Sequence, residues 1–362
     1  MPFDDREFPA SFPSSHEVAR LRRDRRLVAG WLFACAGMIF VMVVLGGATR
    51  LTGSGLSIME WAPLSGVIPP LTGHEWERLY SLYQQIPQYS LVNQGFGLAG
   101  FKHIFWLEWT HRLWGRLIGA VFLVPLVVLA WQGAIRARLV PRLLGLFVLG
   151  GLQGAVGWFM VSSGFLPDTV AVSAYRLVAH LTLALVLYAA ILWTALSVLR
   201  PAGPRLSQAC GLRRLALLSV SLVAVTIVAG GFTAGLHAGM AYNSFPLMDG
   251  RVVPEGWAAL SPVWRNVTEN VAAVQFDHRL MATLTALCVL ATLAVGLRTA
   301  LPREARVTVL AFGAAVVAQY ALGVATLLWA VPVPVAVLHQ IGAALLLTAG
   351  LVLAHALRGA KG

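Results

Sequence analysis

The segment EWTHRLWGR (residues 108–116) sets a histidine inside an apolar run, and QFDHRLMAT (275–283) does the same in the second half of the chain. YRLVAHLTL (175–183) and AVLHQIGAA (336–344) supply two more. His111, His180, His278 and His339 therefore stand singly on four apolar segments that come as two look-alike pairs. An imidazole in hydrocarbon is costly without a partner, so an ionisable residue there marks function by default. Four rings, repeated between halves, predict two sites that each take a pair of imidazoles. Haem iron is the guest suited to two facing imidazoles inside a helical bundle.

Composition supports a membrane setting for these rings. Of 362 residues, 58% are hydrophobic and 12% charged, against about 25% charged in soluble domains. A span takes about 20 mostly apolar residues, and eight such runs are read near 27–48, 103–131, 141–162, 172–199, 214–236, 271–297, 306–330 and 334–357. The net charge of +12 is placed by side: 18 Lys/Arg lie in the N-tail, the 132–142, 200–214 and 298–306 loops and the C-tail, whereas 49–102, 163–171 and 237–270 hold five. That asymmetry predicts cytoplasmic termini. It makes the run Arg20, Arg22, Arg23, Arg25, Arg26 an anchor for anionic headgroups rather than a nucleic-acid site. Cys35 and Cys288 fall in helices and Cys210 in a cytoplasmic loop, so the outer loops offer no disulfide framework. No removable signal peptide is read at the N-terminus.

The chain repeats itself. VLGGATRLTGSGL (44–56) matches VAGGFTAGLHAGM (228–240), EWTHRLWGRLIG (108–119) matches QFDHRLMATLTA (275–286), and LQGAVGWFMVSSG (152–164) matches AQYALGVATLLWA (318–330). The expected fold is an all-α integral membrane protein, eight transmembrane helices forming two tandem pseudo-symmetric four-helix bundles. The expected divisions are an N-tail 1–26, a bundle 27–199 with outer loop 49–102, a linker 200–213, and a bundle 214–358 with outer loop 237–270. An even number of spans per half gives both halves the same orientation. Within loop 49–102 the stretch Glu75–Tyr83 is expected to form a short interfacial helix.

The remaining intramembrane charges cluster on the histidines. Glu108, Arg112, Arg116, Arg176, Asp277 and Arg279 all lie within five residues of one. Arginine forks match carboxylates, and a haem carries two propionates. Glu108 precedes His111 by three residues, where the second half has Gln275. A buried carboxylate beside a porphyrin is a candidate acid–base or charge-stabilising group, and a structural ion pair with Arg112 is the alternative. His16 and His74 read as solvated, His103 and His355 as interfacial helix-end residues. Zinc suits these histidines less, because it prefers four close ligands.

GGATRLTGSGLSIMEW (46–61), EWTHRLWGR, GLHAGMAYNSFPLMDG (235–250) and FDHRL (276–280) together resemble haem A synthases of the mitochondrial and alphaproteobacterial type, from Gly30 to His355. The resemblance implies oxidation of the C8 methyl of haem O to a formyl group, giving haem A for terminal oxidases, with haem b as cofactor. It implies that His278 and His339 ligate haem b, that His111 and His180 flank the substrate iron, and that Glu108 is the glutamate of the ExxH motif. The first outer loop lacks the cysteine pair of another branch of that family. The expected partners are haem O, a haem O synthase (protohaem farnesyltransferase), an electron-transfer protein and the lipid of a bacterial inner membrane, with the sites towards the periplasm; self-association is compatible with the sequence. Two rivals are a dihaem cytochrome that only passes electrons and a haem transporter. Against the first, each helix has one histidine and all four lie near one face; against the second, no helix has a central break of the required kind.

Overall fold

A computed structural model describes residues 14–200 and 209–359. The described residues hold eight helices long and apolar enough to cross a membrane. They are α1 (Ser15–Leu51), α4 (Leu98–Trp131), α5 (Val140–Ser162), α6 (Ala174–Leu199), α7 (Cys210–Gly235), α9 (Val271–Arg298), α10 (Arg303–Leu328) and α11 (Val333–Ala356). Short helices α2 (Gly73–Tyr83), α3 (Pro87–Leu91) and α8 (Asn266–Glu269) lie in the long loops. Lipid offers no hydrogen bonds to the backbone, so these apolar runs close their own as helices.

Two helices outrun their expected bounds. At about 1.5 Å per residue, the 37 residues of α1 and the 34 of α4 far exceed a hydrocarbon layer of about 30 Å. The Arg20–Arg26 run is thus helical, continuous with the span instead of a separate tail. Arginine is a good helix former. The turn starts from a cap in which Ser14 accepts from the Glu17 amide, and buried Asp24 sits beside Arg23 at 3.4 Å. The expected loop helix is present as α2, closed by a reciprocal capping box between Thr72 and Glu75.

Helices α1, α4, α5 and α6 pack on one another, and so do α7, α9, α10 and α11; the two sets meet where α1 and α6 touch α7 and α11. Each set has an apolar core at its loop-poor end. Leu32, Cys35, Phe122, Leu143 and Ile191 build one. Leu212, Val289, Val309, Phe312 and Leu353 build the other. Tyr188 and Thr348 share a 2.7 Å hydrogen bond across the junction. His355 is not interfacial: it is buried there, bonded to Ser197 at 3.2 Å and set edge-on to Trp193. A third cluster (Leu56, Trp76, Tyr83, Phe101, Phe105) folds the first long loop onto the start of α4. Large-to-small changes in such cores cost about 3–5 kcal/mol for Phe→Ala. Phe312→Ala, at a side chain 1% exposed, should therefore depress unfolding stability in detergent by that order, whereas Leu287→Ala, 60% exposed, should change it by less than about 0.5 kcal/mol.

Candidate functional site

All four histidines fall at the loop-rich end. His180, His278 and His339 lie six or seven residues into α6, α9 and α11; His111 lies thirteen into α4, because the first turns of α4 belong to the loop cluster. The apolar cores at the opposite end fix the helices there and leave this end to polar side chains.

Each ring packs against a glycine of a neighbouring helix. A Cβ at Gly46 of α1 would come 3.3 Å from His111 Nε2, and one at Gly230 of α7 would come 2.9 Å from His278 Cε1. At Gly157 of α5 it would meet His180 Cε1 at 2.8 Å, and at Gly323 of α10 His339 Cε1 at 3.0 Å. A side chain at Gly157 or Gly230 would require the ring to shift, and one at Gly46 or Gly323 would require it to give by a few tenths of an ångström. Next to the second and fourth rings stands a glutamine. Gln153 Nε2 lies 3.1 Å from His180 Nδ1 and donates to the His180 carbonyl at 3.0 Å; Gln319 repeats both contacts on His339, each at 3.0 Å. His111 and His180 belong to helices of one set, and His278 and His339 to helices of the other.

Sequence reasoning missed the glycines and glutamines, although the signal was present. In the aligned repeats 152–164 and 318–330 the second, fourth and sixth letters alone agree, and the second and sixth are Gln153/Gln319 and Gly157/Gly323. The Gly-Gly that opens the other repeat contains Gly46 and Gly230.

The arginines do something the sequence did not suggest: they tie each long loop to its own histidine helix. Arg112 donates to the Ile58 and Glu60 carbonyls, both at 2.7 Å, and to Glu108 Oε1 at 2.7 Å. Arg116 adds the Ala62 and Pro63 carbonyls at 2.8 and 2.9 Å. In the other half Arg279 donates to Tyr242 and Ser244 carbonyls and to Gln275 Oε1. Glu108 and Gln275 are thus equivalent partners of equivalent arginines, both buried. Only Glu108 Oε1 is engaged by Arg112; Oε2 lies beside Gly55. Arg176 stacks on Phe159, its guanidinium 3.8 Å from the ring centroid, and donates to the Phe159 carbonyl. Asp277 points to the loop instead, accepting from Trp257 Nε1 at 3.2 Å.

Glu60 also acquires a place. Its carboxylate forks with Arg78 of α2 at 2.8 and 3.1 Å, and Trp61 stacks on Trp158, beside Gly157. The loop 57–63 is thereby held against α2, α4 and α5. Among the described residues, no three His, Cys, Asp or Glu side chains converge as a metal cluster.

Residues 29–351 match the model of COX15-CtaA, cytochrome oxidase assembly proteins. The chain belongs to that family. It is 63% identical over 345 residues to a heme A synthase of Granulibacter bethesdensis, covering 95% of this chain and 91% of the relative. It is 49% identical over 340 residues to heme A synthase 2 of Acidiphilium cryptum, 92% of each chain. It is also 49% identical over 327 residues to a heme A synthase of Rhodospirillum centenum, 90% of this chain and 87% of that one. The resemblance to haem A synthases seen in the sequence is borne out, as is the eight-span all-α fold.

The Glu60–Arg78 fork gives a pH test of the loop. The hydrogen bond and charge of Arg78 hold the Glu60 carboxyl below the ordinary carboxylate value. A depressed value stabilises the folded loop above the unfolded pKa, and the contribution is lost as pH falls through the folded one. The pair is about half exposed, so it is worth no more than about 1 kcal/mol. Amide exchange in residues 57–63, relative to its intrinsic rate, should accelerate up to about fivefold as pH drops from 7 to below 4. Arg78→Ala should show the faster exchange at both pH values.

Proposed function

We propose that this chain is a haem A synthase, which oxidises the C8 methyl group of haem O to a formyl group and carries haem b as its resident cofactor. The observation that supports this best is the doubled imidazole–glycine pair, found in a chain whose close relatives bear that name. In this reading His278 and His339 hold the haem b iron, and His111 and His180 flank the iron of haem O. The product serves terminal oxidases, and haem O comes from a haem O synthase. An electron-transfer partner takes up the electrons removed. Both termini are cytoplasmic and the two sites lie towards the periplasmic side of a bacterial inner membrane.

The residues present fit such a guest. Seven buried polar side-chain atoms have no partner among the described residues, and four of them are His111 Nδ1, His278 Nδ1, Gln153 Oε1 and Gln319 Oε1. Ligating imidazoles ordinarily pair their second nitrogen with a nearby acceptor, which fixes the tautomer. Gln153 and Gln319 stand against Nδ1 of His180 and His339, which leaves the Nε2 edge of each ring for iron. The glycines keep the space beside each ring flat. Arg176 and Arg279 form no ion pair among the described residues. Carbonyl contacts do not neutralise a guanidinium, so their charge remains for propionates; Arg112 can contribute from the same edge of the first site, although Glu108 offsets it.

When bound, haem b supplies redox capacity that no side chain has. The chain's own part is to hold the substrate ring between His111 and His180, cover it with the 57–63 loop, and place a carboxylate. Methyl oxidation passes through a hydroxymethyl to an aldehyde hydrate that loses water; each of the two two-electron steps takes one oxygen from water, passes two electrons to the partner and releases two protons. Glu108, one helical turn from His111, accepts a proton or stabilises positive charge developing at the reacting carbon, through Oε2. Gln275 cannot do either in the second half, which agrees with a cofactor there.

Glu108→Gln should lower haem A output at least tenfold when haem O is supplied, with the bound haem b retained; full output would remove Glu108 from the chemistry. His278→Ala or His339→Ala should strip the haem b absorbance from the purified protein, and a retained normal spectrum would reassign the cofactor half. Gln319→Ala should weaken haem b binding about 10–100-fold, read by titrating apo-protein with haem.

A further inference from the structure

The two halves cross each other at their glycine pairs, and the two crossings differ. Gly46 packs on His111, and its neighbour Gly47, buried, faces the opposite half. There it receives Gln340, the residue after His339: a methyl at Gly47 would overlap the Gln340 amide. Gln340 Nε2 donates to the Val43 carbonyl at 2.6 Å. Val43 is four residues before Gly47, so its carbonyl already accepts within α1. The missing side chain at Gly47 exposes that carbonyl to a second donor.

The reciprocal crossing is apolar. Gly230 packs on His278, and its neighbour Gly231 receives Val178 and Leu181 of α6, at 3.0 and 3.5 Å from a Cβ built there. Leu181 follows His180 as Gln340 follows His339. An apolar contact between helices tolerates sliding; a hydrogen bond of 2.6 Å fixes one register. The fixed crossing is the one that ends at the site containing Glu108.

We propose that Gln340 is a positioning residue between the two sites: it locks α1 against α11, and through Gly47 and Gly46 sets the His111 ring relative to His339. The lock rests on the reading of His111 as an iron neighbour only for its consequence at the substrate, not for its existence. It gives the reacting site a register dictated by the ligand helix of the other half.

The test uses the full chain with Gln340→Met, which keeps length and loses the donor, and Gln340→Leu, which copies the other crossing. Thr348→Val removes a different bond across the same junction and serves as control. On haem-free protein, amide exchange of residues 43–51 should rise at least fivefold in both Gln340 variants and stay at the wild-type rate in Thr348→Val. Unchanged exchange in the Gln340 variants, or an equal rise in Thr348→Val, would overturn the lock. On haem-loaded protein, the low-spin electron paramagnetic resonance signal abolished by His180→Ala should shift in the Gln340 variants but not in Thr348→Val. A wild type that holds no haem at His111 and His180 would sink the functional reading while the exchange arm still decides the lock. A wild type that holds it, with variants giving an identical signal, would overturn the inference. Should one Gln340 variant fail to fold, the other carries both readouts.

Discussion

An imidazole ring pressed against a helical glycine is the contact on which the structure turns. It occurs four times, at Gly46, Gly157, Gly230 and Gly323, once for each intramembrane histidine. Glycine weakens a helix in water by about 1 kcal/mol relative to alanine, but in membranes small residues are what let helices approach closely. Here they admit an aromatic heterocycle between neighbouring helices. The apolar cores at the far end of each set supply the packing that glycines cannot, so stability and site are separated along the membrane normal.

Duplication explains most of the architecture, and in the proposed reading its departures mark where the halves divide labour. Arg112 and Arg279 clamp corresponding loops, and Gln153 and Gln319 orient corresponding rings. Among the positions that break the pattern, two stand out. Glu108 stands where the other half has Gln275, and Gln340 stands where the other half has Leu181. Both differences bear on the first pair of histidines, one from within its own bundle and one from across the junction. A resident cofactor needs only a rigid socket. A substrate that must enter, react and leave calls for a chemical group and a defined register as well.

Much of this was legible in the sequence. Hydropathy located eight spans, the repeats showed one histidine on each of four of them, and the Glu108/Gln275 difference was visible as letters. What escaped depended on direction rather than on identity. A glycine's importance lies in what the neighbouring helix puts against it, so Gly157 and Gly323 looked like ordinary span residues. Arg112, Arg116 and Arg279 were read towards a ligand because loops without regular structure give no hint that their carbonyls turn inward. Glu60 had no evident role until Arg78, eighteen residues away, came to face it. The ends of α1 and α4 were misjudged because charged turns prolong a helix beyond the hydrocarbon, and hydropathy registers only the hydrocarbon. His355 was taken for an end residue, whereas the packing of α6 on α11 buries it.

The central claim is that the two histidine pairs are separate sockets, each for one macrocycle. Haem per polypeptide, counted on purified protein saturated with added haem, tests it most directly. The account predicts two haems per chain in the wild type and one in each of His180→Ala and His339→Ala, with the two variants retaining spectrally different species. A single haem in the wild type, or loss of all haem from either variant, would contradict it.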